Sequence, residues 1–279
     1  TKDDAGFAEA EKALKKYPNA FAVAYNSGAL YRAFGTERGD RALLRRGLEL
    51  MESAMRLLAQ NDDPKISQST ISGEMAMILL SLGELDQAVE LLKKNNAGDL
   101  YSDLIGLTLA ADCRRPEEAL PFLSSALLDR VTDLVRIALG YVNVYFYRKD
   151  FAEAKAMLGW ILGVLAGVKD GDKPCFADKI AVMFRVCLAY AHLQTGDAEA
   201  ARNELSAAKA TAASYDAAPD PRAGALRFVL DDERAGVYDN LGATCAQTVE
   251  KAVGDMESDE LCEIWRRLEN CFNPSEGNC

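Results

Sequence analysis

A six-residue phrase recurs along this chain and limits what it can fold into. Gly83, Glu84, Leu85, Asp86, Gln87, Ala88 returns as Lys149, Asp150, Phe151, Ala152, Glu153, Ala154 and as Gly196, Asp197, Ala198, Glu199, Ala200, Ala201, and more loosely as Arg114, Arg115, Pro116, Glu117, Glu118, Ala119. Each copy follows one apolar helical stretch and opens another. Glycine accepts the positive φ of a position just past a helix end, aspartate caps the helix that follows, and alanine lets two helices cross closely. The phrase predicts an array of paired helices, an architecture that usually binds other chains.

Between the copies, apolar residues fall at i, i+3 and i+4, and no stretch alternates strictly as a half-buried strand would. The class is all-α. Helices are expected over Ala5 to Tyr17, stopped by Pro18 and begun by Asp3 or Asp4, over Phe21 to Phe34, closed by Gly35, and over Arg41 to Ala59. Ile66 to Leu82 then pairs with Leu85 to Asn95, Leu100 to Ala111 with Pro116 to Leu127, Val131 to Arg148 with Phe151 to Val168, and Ala177 to Thr195 with Ala198 to Tyr215. Lys169 to Pro174 and Asp216 to Arg222 read as loops. A last group, near Ala223 to Leu230, Arg234 to Val253 and Glu257 to Cys271, lacks the phrase and is expected to cap the stack. The organisation is thus a helical repeat array over 1–222, capping helices over 223–272 and a tail over 273–279.

Composition narrows the function. The 279 residues carry a formal net charge of −11, which opposes phosphate-backbone binding by this region, because nucleic-acid affinity is largely cation contact. The apolar stretches Met75 to Leu80 and Ala181 to Phe184 are far short of the ~18 residues of a bilayer span, so no membrane helix is expected. Seven cysteines at irregular spacing, with no Cys-x-x-Cys pair, read as reduced buried thiols of a cytoplasmic protein. With a single His, a metal site is not expected, and neither is a cofactor, since the phosphate-loop, dinucleotide, zinc-protease and nucleophile-elbow phrases are all absent. No catalytic residue is predicted. His192 is assigned to packing, and the carboxylates of Asp231 to Glu233 and Asp255 to Glu260 to solvated helix starts. Arg45 with Arg46, and Arg114 with Arg115, are expected to form surface ion pairs.

The turn residues resemble those of the tetratricopeptide repeat, a helix pair with a usual period of about 34 residues. Gly28, Tyr31 and Gly35 match its small, aromatic and turn positions in one unit. Ala76, Leu79, Gly83 and Ala88 match the next, Tyr145, Asp150, Phe151 and Ala154 a later one, and Ala189, His192, Gly196, Asp197 and Ala201 the last. The resemblance implies a right-handed superhelix of antiparallel helix pairs, a TPR-like α-solenoid. The crossing alanines 88, 119, 154 and 201 lie 31, 35 and 47 residues apart, so the repeats are degenerate. Ala5 to Pro18 matches the second helix of a unit whose first is absent, and with no initiator Met the chain is expected to be part of a longer protein. Taken whole, it resembles the region that follows the helix-turn-helix DNA-binding domain in bacterial regulators of the xenobiotic-response-element type.

That second resemblance implies a sensory, dimerising domain that controls a DNA reader outside the chain. The alternative is a stand-alone scaffold for protein–protein interactions. In the repeat family the first helix of each pair lines a concave face, which projects Tyr25, Asn26, Arg32, Glu74, Met77, Arg136, Asn143, Tyr147, Tyr190 and Gln194 as candidates to hold a peptide or protein. Asn amides suit a bound peptide backbone, and Tyr and Met supply adaptable apolar area. A homodimer is the expected assembly.

Overall fold

The computed structural model describes residues 2–112, 115–220, 226–230 and 241–270, with the side chains of 2–4 and 269–270 excepted. The described residues are all-α apart from one isolated bridge, between Lys169 and Leu226. The chain divides into two compact units, Thr1–Ala126 and Leu127–Cys279.

The first unit holds α1 (Lys2–Lys16), α2 (Phe21–Arg38), α3 (Arg41–Arg56), α4 (Gln68–Leu82), α5 (Leu85–Lys94), α6 (Ser102–Ala111) and the beginning of α7 (Pro116–Arg148). Helix α1 stops just before Pro18 as its chemistry requires, and Phe7 packs edge-on against Tyr31 of α2 with ring centroids 5.1 Å apart. The pair α2 and α3 meets through glycines. A Cβ at Gly35 would lie 2.9 Å from the Leu44 backbone nitrogen, and one at Gly28 would lie 3.2 Å from Met51. Leu44, Met51 and Ala54 are thereby buried against Phe21, Ile71 and Ile78.

The second unit holds the rest of α7, then α8 (Phe151–Val168), α9 (Phe176–Gln194), α10 (Ala198–Ala217), α11 (Cys245–Asp255) and α12 (Asp259–Asn270). Its largest core joins α9 and α10 to α11 and α12 through Val186, Leu205, Val249, Leu261 and Trp265. Asp216, at the end of α10, accepts hydrogen bonds from the Cys245 and Ala246 amides at 2.7 and 2.9 Å, which fixes the start of α11. Lys209 donates to the Leu268 carbonyl at 2.6 Å. Among the described residues, α11 and α12 thus pack onto α9 and α10.

The recurring phrase does what its chemistry predicts. Gly83 and Gly196 end α4 and α9 at φ 78° and 80°. Asp150 and Asp197 cap α8 and α10 by accepting from the Glu153 and Ala200 amides. The crossing alanines Ala88, Ala119, Ala154 and Ala201 are all buried. At the third turn Lys149 takes the left-handed conformation, φ 58°, that glycine takes elsewhere.

Several boundaries differ from expectation. α2 runs past Phe34 to Arg38, and Gly39, at φ 64°, is its cap; Gly35 is instead a contact glycine. α1 begins at Lys2, so Asp3 and Asp4 lie inside its first turn rather than capping it. Two helices expected over Pro116 to Leu127 and Val131 to Arg148 are one helix, α7, of 33 residues. Leu128, Asp129 and Arg130 contain no breaker, so helix propensity carries the chain through where the repeat period asked for a turn. Leu226 to Leu230 is not helical, because Leu226 pairs with Lys169 and the Arg227 amide donates to the Val168 carbonyl at 2.8 Å. The long helix expected over Arg234 to Val253 is interrupted at 241–244, and α11 begins at Cys245, capped by Thr244; residues 231–240 lie outside the described residues. Finally, α8 is 18 residues long with a mean hydropathy of 1.5, enough by length and composition to cross a bilayer, which corrects the expectation that no stretch reaches that length.

Candidate functional site

In the first unit, four of the five projected residues there lie along one side of α2 and α4. Tyr25 and Arg32 are seven residues apart, two turns along α2, and Glu74 and Met77 are three apart on α4. Arg32 Nε lies 2.5 Å from Glu74 Oε2, tying the two helices together. Tyr25 feels this pair: burial first, and then the Glu74 charge, push its hydroxyl above the ordinary phenol range, while Arg32 pulls the other way and Asp63 adds to the rise. The paired atoms Arg32 Nε and Glu74 Oε2 are themselves buried, while the two side chains as wholes are 30% and 25% exposed.

Two open clefts lie along these helices, one lined by Glu74 and the other by Tyr25. One, of about 370 Å³, is lined by Glu74, Met77, Gly73, Tyr101 and Leu104. Tyr101 lies over Gly73, where a Cβ would come within 2.8 Å of its hydroxyl, and that hydroxyl donates to the Ser69 carbonyl. The other, of about 380 Å³, is lined by Phe21, Tyr25, Asn26, Gln60, Asp62 and Asp63. The Phe21 and Tyr25 rings stack at 5.8 Å. Gln60 accepts from the Phe21 amide at 3.1 Å, and Asn61 donates to the Asp63 and Ile66 carbonyls, so the loop that walls this cleft is held. Neither cleft is a catalytic constellation. Together they offer aromatic, carboxylate and guanidinium chemistry along one strip.

The second unit treats its projected residues differently. Tyr190 of α9 is half-buried in a ring cluster, 5.2 Å from Phe146 and 6.1 Å from Phe151. Gln194, Asn143 and Arg136 are exposed, and Arg136 faces Asp133 at 3.5 Å. Tyr147 is 91% exposed. No described contact draws these five into one site. Sequence reasoning also missed Tyr101, and it missed the large apolar groups Ile137, Tyr141, Val144 and Trp160, which are 43% to 53% exposed. The available signal was the uninterrupted apolar run of α8.

The remaining candidates keep to packing and ion-pair contacts, except that Asp255, expected at a helix start, is the last residue of α11. His192 is mostly buried, with Nδ1 3.8 Å from Asp197. Arg45 pairs with Glu84, Arg46 with Glu49 and Arg115 with both Asp86 and Glu118, while Arg114 lies outside the described residues. Asp255 pairs with Lys251, and Asp259 and Glu260 occupy the first turn of α12; Asp231 to Glu233 lie outside the described residues. Cys175, Cys187 and Cys245 are buried free thiols, and burial pushes Cys187 up to about 12. Among the described residues no cluster of His, Cys, Asp and Glu is arranged to hold a metal.

No protein-family model and no curated protein matches the chain. Among solved structures, BtubC (BKLC) from P. vanneervenii is similar at 16% identity, covering 79% of this chain and 92% of its own, with a TM-score of 0.36. A kinesin light chain protein of nearly identical TPR-like repeats from Podosopora anserina is similar at 17% identity, covering 72% and 99%, with a TM-score of 0.30. Scores this low carry no weight on their own. The fold is a TPR-like array of α-helical pairs on the strength of its own turns and its buried crossing alanines.

Proposed function

We propose that this chain is a peptide- or protein-binding sensory domain of a bacterial transcriptional regulator, acting as a homodimer in the cytoplasm, with DNA reading done outside the chain. The repeat array over 1–222 is the sensing part, and the helices within 223–272 cap it. The reading is supported above all by the strip on α2 and α4, where the Arg32 and Glu74 pair ties the two helices and Tyr25 and Glu74 each line an open cleft. An extended peptide laid along that strip would find a guanidinium, carboxylates and stacked rings in reach. The excess of acidic residues fits a ligand with basic groups and argues against direct nucleic-acid contact by this region. A ligand that prefers one curvature of the helix stack would shift its population, which is all a switch requires.

Selection from a random peptide library displayed on phage tests the reading. Wild-type protein is expected to enrich a consensus, and the Arg32→Ala/Glu74→Ala double variant, correctly folded by circular dichroism, to lose it. Equal enrichment by both would remove the strip from consideration. The scaffold alternative shares the strip and differs only in the gene: a basic helix-turn-helix of about 60 to 70 residues encoded upstream of Thr1 supports the regulator, and its absence there leaves the scaffold.

A further inference from the structure

Glycine inside a helix costs about 1 kcal/mol relative to alanine, so a helical glycine calls for a reason. In the first unit the reason is visible at Gly28, Gly35, Gly47, Gly73 and Gly106, each with a neighbour where a Cβ would go; Gly6 of α1, and Gly254 of α11 in the second unit, are single open glycines. Helix α8 breaks that pattern. Gly159, Gly163 and Gly167, four residues apart on one face, have nothing within 4 Å of a built Cβ, and Gly140 on α7 is equally open. The glycines share the exposed arc of α8 with Ala152, Ala156, Ala166 and Trp160, and Glu153 stands at its N-terminal end. Only Ala154, Leu158, Ile161 and Leu165 of this apolar helix are buried.

Helix α7 shows the same one-sidedness. Phe146 meets Tyr190 of α9, whereas Ile137, Gly140, Tyr141 and Val144 lie on the opposite arc of the helix and are exposed. Among the described residues of the second unit, the α7 and α8 hairpin is covered by α9 on one side, and the other side is exposed. That open side has no charged residue from Ile137 to Tyr147 on α7 or from Ala156 to Val168 on α8. Surfaces of this kind mark association sites.

The geometry points to a second copy of this chain as the occupant, docked through the exposed face of α7 and α8 in a two-fold dimer. Size and shape argue for it. Eighteen residues span about 27 Å and two packed helices about 20 Å, giving a corrugated surface of roughly 800 Å², which is what a stable dimer buries on each partner. The face carries both bumps and hollows, Trp160 and Tyr141 beside Gly159, Gly163 and Gly167, so it can complement itself as a two-fold interface must. Antiparallel α8 helices would set each Trp160 over the glycines of the partner helix. The absence of charge lets two copies meet despite a net charge of −11 each. A membrane is the poorer fit, because small residues bury little area in lipid and the exposed cations nearest the face, Arg136 and Arg148, stand only at the ends of its α7 edge.

This inference rests on the dimeric part of the reading above and not on its peptide strip. Sedimentation of the intact protein over a concentration series is expected to show a monomer–dimer equilibrium. Gly163→Glu and, separately, Trp160→Ser are expected to weaken it by about tenfold or more, with unchanged helical content. A wild type that stays monomeric throughout overturns both the face and the dimer, whereas a dimer untouched by either variant overturns the face alone. Flotation with phosphatidylcholine vesicles closes the remaining case: binding that Gly163→Glu abolishes would reassign the face to lipid and overturn the proposal.

Discussion

The α2 and α3 pair of the first unit and the α7 and α8 pair of the second are both helical hairpins with glycine on their faces, yet the glycines serve opposite ends. In the first, Gly28, Gly35 and Gly47 are filled in by Met51, Leu44 and the facing backbone, and the cost of glycine is recovered as close packing. In the second, Gly140, Gly159, Gly163 and Gly167 stand before open space, and no contact among the described residues recovers that cost. The same residue marks a contact already made in one place and room for one in the other.

Substitution is the direct way to break this comparison. Gly35→Ala places a Cβ 2.8 Å from the Leu44 side chain and 2.9 Å from its backbone nitrogen, so the helices must part; a loss of about 3 kcal/mol in denaturant unfolding is expected. Stability unchanged by Gly35→Ala would mean the crossing is loose and the contrast empty. Gly163→Ala should act in the other direction, raising the stability of dilute monomer by about 1 kcal/mol, since a methyl there meets nothing and favours the helix.

The turn into α8 sharpens the contrast from a third side, because there a glycine is missing where the backbone would welcome one. Lys149→Gly relieves a left-handed lysine and is expected to add about 0.5 to 1 kcal/mol, read as a small rise in Tm.

The smallest effect at neutral pH concerns Tyr31, buried in the tightly packed pair. Its hydroxyl donates to Glu11 at 2.7 Å, and burial, reinforced by that bond, pushes its pKa from 10 to about 12. The folded state therefore holds the proton more firmly than the unfolded one. Its contribution is complete below pH 10 and is lost as pH rises toward 12. Tyr31→Phe should flatten the fall in stability over that interval; an identical fall in both proteins would show that the hydroxyl is more solvated than its packing implies.

What could be read from the amino acids follows the range of the forces involved. Gly83, Gly196, Asp150 and Asp197 were legible because turn chemistry is settled within a few residues, and the crossing alanines because the phrase fixes their distance from the turn. The break expected between Leu127 and Val131 was supplied by the repeat period alone, and α7 ignores it for want of a glycine, proline or asparagine. Tyr25, Arg32, Glu74 and Met77 could be placed on one side by helical spacing. Tyr101 could not, since its approach to Gly73 depends on the turn at Ala97–Asp99, where Gly98 and Asp99 both take positive φ. The exposure of α8 was least legible of all. An apolar helix reads as a core helix unless something says that one neighbour is missing.

The segment between α8 and α9 carries a last consequence. Composed of Lys169, Asp170, Gly171, Asp172, Lys173 and Pro174, it has the look of a tether, yet Lys169 bridges to Leu226 through its backbone and holds Asp178 at 2.6 Å through its side chain. The other oxygen of that buried carboxylate receives the Cys175 amide at 2.9 Å. Trypsin, which needs an extended stretch on both sides of the bond it cuts and does not cut before proline, would find Lys169 clamped and Lys173 followed by Pro174, so this connection should resist it despite its exposure.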